Sequence, residues 1–170
     1  MNARASKFTR VMKICAFWTK AANCLQSPFL LLIRLYWGWQ FFQTGLGKLG
    51  QVPQVIQFFQ SLQIPLPGLN AWIVIIVELV GGLMLMLGLA GRLAAAALAF
   101  DMVIAYVTAD RDALLAMFSN SDAFVQATPF PFLLITLTVL AFGVGKFSAD
   151  YLIGKYFSAK ARQGGSVPPA

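Results

Sequence analysis

The stretch Asn70 to Gly91, NAWIVIIVELVGGLMLMLGLAG, decides the fold. A helix needs about 20 apolar residues, at about 1.5 Å each, to cross about 30 Å of hydrocarbon, and this run supplies them. It is interrupted by one acid, Glu78, the only glutamate in the chain. A carboxyl at membrane depth is costly, so it must face other helices or a wet cavity. The rest of the sequence therefore has to provide its partner.

Working outward, apolar runs of spanning length occur at about 28–48, 70–90, 91–109 and 129–145. They predict an all-α fold, an integral membrane four-helix bundle. Composition agrees: 59% of the 170 residues are hydrophobic and 11% charged, with mean hydropathy +0.73, far outside the mix of soluble domains. Histidine is absent and the only cysteines are Cys15 and Cys24, both ahead of the first span. That excludes a histidine-ligated haem, a cluster held by four cysteines of one chain, and a Cys-x-x-Cys redox pair. No metal site, intrinsic cofactor or independent catalysis is expected.

The net charge of +7 reads as a topology signal rather than as a nucleic-acid footprint. Arg4, Lys7, Arg10, Lys13 and Lys20 precede the first span, whereas Lys146, Lys155, Lys160 and Arg162 follow the last. Four spans put both termini on one side with the turn carrying Arg92, and the positive-inside rule makes that side the cytoplasm. Residues 1–27 form a basic segment in which Phe8, Val11, Cys15, Trp18, Ala22 and Leu25 share one helical face opposite Arg10, Lys13 and Lys20. This predicts an amphipathic helix in the headgroup region, with anionic lipid headgroups as its partner. Ser27 and Pro28 then cap a new helix, the four-span domain covers 28–152, and 153–170 is a polar cytoplasmic tail. On the outer side, the glutamines at 51, 54, 57, 60 and 63 predict a short helix lying on the interface.

Inside the bundle, helical spacing gathers the polar and small residues into stripes. On the first span Arg34, Gly38, Phe41, Gly45 and Lys48 follow one another at steps of four and three. On the second, Glu78, Gly81, Leu85 and Gly88 align, and on the third Asp101 lies among Ala94, Ala97 and Ala105. Small residues allow close helix approach, so Gly38, Gly45, Gly81 and Gly88 are expected at helix contacts. At about 1.5 Å per residue, Arg34 lies about 9 Å, Asp101 about 14 Å and Glu78 about 18 Å from the inner surface. Arg34 is expected to serve both carboxylates, and Lys48 either to reach outer water or to bend toward Glu78. Arg34, Glu78, Asp101 and Lys48 are thus the candidate buried polar or ligand site.

Three blocks, LLIRLYWGWQFFQTGLGKL, VELVGGLMLMLGLAGRLAA and GVGKFSAD, in that order over about residues 28–152, resemble the DoxX family of small bacterial membrane proteins. The resemblance implies a four-helix bundle in the bacterial inner membrane. It also implies a role as membrane subunit of a quinone-linked oxidoreductase, or of an assembly handling thiol or oxidative stress, with quinone as ligand and a redox protein as partner. The chain departs from the family by carrying Asp101, by lacking a histidine near the outer end of the third span, and by its basic N-terminal extension. The competing expectation is a small-molecule carrier, or a structural membrane-integrity protein whose buried charges only fix helix packing.

Overall fold

The computed structural model describes residues 2–164, with side chains described for Trp18 and for residues 24–158. Among the described residues all regular structure is helical. In chain order the helices are α1 (Asn2–Leu49), α2 (Val52–Ser61), α3 (Pro67–Leu87), α4 (Gly91–Thr108), α5 (Arg111–Leu115), α6 (Ser121–Gln126), α7 (Pro129–Phe142) and α8 (Ala149–Gly164). α1 packs mainly on α3, α3 on α4, and α4 on α7, with α2, α5 and α6 at one end and α8 at the other.

Among the described residues, α3 and α4 are the two helices both long and apolar enough to cross a membrane. Only 33% of the apolar window of α3 and 39% of that of α4 is buried. The core helix of a soluble domain would be mostly covered. Here Trp72, Ile73, Ile76, Val80 and Leu83 on α3 and Phe100, Val103, Ile104 and Val107 on α4 face outward. A continuous apolar exterior of this kind fits lipid rather than water. α1 is long enough to span, but Arg34, Gln40, Gln43 and Lys48 lower its apolarity. α7 has 14 residues, about 21 Å of rise, and stops at Gly143 where the sequence suggested 145.

Two other boundaries differ from expectation. Ser27 and Pro28 do not start a helix: α1 runs unbroken for 48 residues with Pro28 inside it. A proline removes one backbone hydrogen bond and crowds the preceding turn, a local cost that a long helix with good formers on both sides absorbs. The side chains carrying the amphipathic pattern of residues 8–26, Trp18 and those from Cys24 on excepted, lie outside the described residues. Cys24 is an exposed free thiol. The supposed polar tail is helical as far as Gly164, and α8 exposes Tyr151, Leu152, Ile153, Tyr156 and Phe157. The remainder of that tail lies outside the described residues.

Glycine sets the closest contact. A Cβ at Gly38 would stand 2.8 Å from the carbonyl oxygen of Gly82, and one at Gly82 would stand 2.8 Å from that of Gly38. Neither backbone can yield, so α1 and α3 meet there at a distance only two glycines permit. Gly45 touches Leu79 and Glu78 in the same seam, whereas Gly81 faces Leu98 of α4. The core beside this seam is Phe41, Leu85, Ala95, Leu98, Met102 and Val139. At the α2 end, Tyr106 donates to the Phe124 carbonyl at 2.8 Å and stacks on its ring, tying α6 to α4.

Candidate functional site

The four charged residues singled out by the sequence divide into two groups. α1 brings Lys48 in its last turn alongside the middle of α3, and the ammonium pairs with Glu78 Oε1 at 2.7 Å. The Lys48 side chain is 33% exposed while that of Glu78 is 3% exposed, so one partner reaches the surface and the other does not. Gly45 creates the opening: a Cβ at that position would lie 3.2 Å from Glu78 Cβ and 2.9 Å from the Leu79 nitrogen. Gly81 packs on Leu98, which brings Asp101, one turn further along α4, level with Glu78.

Three charges converge, and their hydrogen bonding is incomplete. Glu78 Oε2 and Asp101 Oδ2 are both buried without a hydrogen-bonding partner among the described residues. Thr44, one turn before Lys48, lies near Glu78, but its hydroxyl donates to the Phe41 carbonyl of its own helix at 2.8 Å. Two acids therefore share one ammonium, and each has a buried oxygen without a partner among the described residues.

Arg34 does not join this group, contrary to the expectation that it would serve both acids. It is completely buried and points to the other end, where it donates from Nη1 to the Val144 carbonyl and from Nη2 to that of Phe147 at 2.6 Å. A depth count locates a Cα along the helix and says nothing of the direction of a side chain that is several ångströms long. Gly143 and Gly145, both at positive φ, bend the chain after α7 so that its carbonyls face inward, and a guanidinium with five donors suits them. Gly88, at φ +66, ends α3 beside it, where a Cβ would stand 2.7 Å from Arg34 Nη1. Gly88 is thus a terminus and a guanidinium seat rather than a mid-helix contact. About ten residues, or 15 Å, separate it from Glu78 along α3.

Asp150, quoted in the sequence only as part of a closing motif, completes this second group. Its carboxylate accepts from the Ala90 N–H at 2.7 Å and the Gly91 N–H at 3.0 Å, the uncapped start of α4, and its own N–H donates to the Gly88 carbonyl at 3.0 Å. Ser148 caps α8 by accepting from the Tyr151 N–H. A single Asp forty residues beyond a helix gives no local capping signal, which is why spacing alone misses it. Gly82, the other half of the closest contact, was hidden by the choice of Gly81 for the stripe. Among the described residues no group of three or more histidine, cysteine or acidic side chains converges to hold a metal.

Residues 29–111 match the DoxX family model. This stretch contains Arg34, Lys48, Glu78 and Asp101; the Gly143–Asp150 segment lies beyond it. The chain is 37% identical over 78 residues to the Bacillus subtilis (strain 168) protein named "Putative oxidoreductase CatD". That alignment covers 46% of this chain and 57% of the relative. No solved structure matches the chain.

Proposed function

We propose, on the premise that residues 29–111 place this chain in the DoxX family, that it is a multi-pass inner-membrane accessory subunit of a quinone-linked oxidoreductase or thiol-stress complex. The family match and the relative's name support the redox context. α1, α3, α4 and α7 are the four spans of this reading. Both termini are cytoplasmic, with the basic N-terminal segment on anionic lipid, and a redox protein docks to complete the assembly.

The single observation carrying this reading is the polar group inside the apolar bundle: Lys48 paired to Glu78, with two buried carboxylate oxygens unpartnered. The oxygens of a quinone head group match those donors and acceptors in chemistry. The ammonium of Lys48 would hold a ring oxygen, and the free oxygens of Glu78 and Asp101 would accept from the hydroxyls of the reduced form. Bound there, quinone would supply the electron-carrying chemistry that the chain's own side chains lack. Arg34 belongs instead to the helix-end network and holds no ligand in this reading.

Protein purified in mild detergent is expected to carry quinone in its lipid extract, and an added short-chain quinone is expected to raise its melting temperature. Protein that carries none and does not respond to the addition would overturn the assignment.

A further inference from the structure

The charge count around Glu78 leads beyond any particular ligand. Lys48 from α1 pairs with Glu78 from α3, and the packing of Gly81 on Leu98 brings Asp101, one turn further along α4, level with Glu78. α2, which packs on α3, and α7, which packs on α4, have no titratable side chain along their lengths. The other buried cation, Arg34, is taken by the Val144 and Phe147 carbonyls at the far end. Two acids and one ammonium leave one negative charge in an apolar interior, which is costly unless a positive charge joins it.

The identity of that positive charge follows from the number of oxygens. Glu78 is 2% exposed, its Oε1 is taken by Lys48, and the atoms left are Glu78 Oε2 and Asp101 Oδ2. A hard metal cation takes about six oxygen ligands. Here two buried oxygens are unpartnered, and among the described residues no group of three or more acidic, histidine or cysteine side chains converges. A proton needs just one of those oxygens. Bound to either acid, it cancels the charge that Lys48 leaves over.

We propose that Glu78 and Asp101 form a proton-binding site that holds one exchangeable proton between them, loaded from water past the partly exposed Lys48. Loading takes one proton from water and moves no electron. The inference stands whether or not quinone binds, because it rests on the protein's own charge balance.

The test is infrared spectroscopy of the full chain in lipid nanodiscs, following the carbonyl stretch of a protonated carboxyl as pH is changed. The wild-type protein is expected to show one such band, reversible with pH and shifted in D2O. Glu78→Gln and Asp101→Asn are each expected to abolish it. Because Glu78 is the only glutamate, carbon-13 labelling of glutamate in the wild-type chain reads its share of the band without any variant, and a partial shift is expected. A wild-type protein without the band at any pH at which it stays folded would overturn the proposal. So would a band that does not respond to D2O, or one untouched both by the glutamate label and by Glu78→Gln.

Discussion

The two buried polar groups of this bundle lie about 15 Å apart along α3 and are built on opposite principles. At the α8 end, Arg34 spends its guanidinium on two backbone carbonyls, and Asp150 spends its carboxylate on the N–H groups that open α4. One buried atom there, Arg34 Nε, lacks a partner among the described residues. These bonds join α1, α4 and the segment after α7, so the group works as a clasp. Toward the α2 end, Lys48 and Glu78 make one ion pair, and two carboxylate oxygens are left without a donor. A clasp gains from satisfying its polar atoms. A site that accepts something must keep some of them free.

Substitutions should separate the two groups by the size and kind of their effects. The largest loss of stability is expected from Arg34→Met, which strands two inward carbonyls, at about 2–6 kcal/mol from about 1–3 for each. Thermal unfolding and folded yield in detergent would show it. Arg34→Lys should restore little, because one ammonium cannot replace a fork reaching two carbonyls.

Gly82→Ala comes next, since its Cβ would lie 2.8 Å from backbone atoms of Gly38 and Phe42. Forcing the seam open is expected to cost about 1–3 kcal/mol. Gly47→Ala on α1 is its control: nothing lies within 4 Å of a Cβ there. Unfolding midpoints should fall for the first and stay level or rise slightly for the second. Asp150→Ala, which uncaps α4, is expected to cost about 0.5–2 kcal/mol in the same measurement.

Of the expected losses, the smallest is that of Glu78→Gln. Lys48 is one-third exposed and can turn to water when its partner is removed, so the cost should resemble that of a surface ion pair, about 0–1 kcal/mol. If this substitution proves as damaging as Arg34→Met, the contrast between clasp and site fails.

Much of this was legible in the sequence, for physical reasons. The apolar run around Glu78 announces a membrane helix because hydrocarbon thickness dictates its length. The stripe from Gly38 through Gly45 to Lys48 follows from helical spacing, and the structure puts all three against α3. The partnership of Arg34 was not legible. Spacing locates a Cα, but the direction of a long side chain depends on carbonyls released more than a hundred residues later, at Gly143 and Gly145. Asp150 escaped for the same reason, since it caps a helix that begins 59 residues before it. Pro28 shows the converse: a strong local stop signal is overridden when the helix on each side is stable enough.

The central claim, that the Glu78 group is a site while the Arg34 group is a clasp, is tested most directly by the melting temperature of Glu78→Gln with and without a short-chain quinone. The expected result is a ligand-free midpoint within about 4 °C of the wild type, as a cost near 1 kcal/mol implies for a chain of this size, together with loss of the quinone-induced rise. A variant that collapses without ligand, or that keeps the full wild-type rise, would contradict the account.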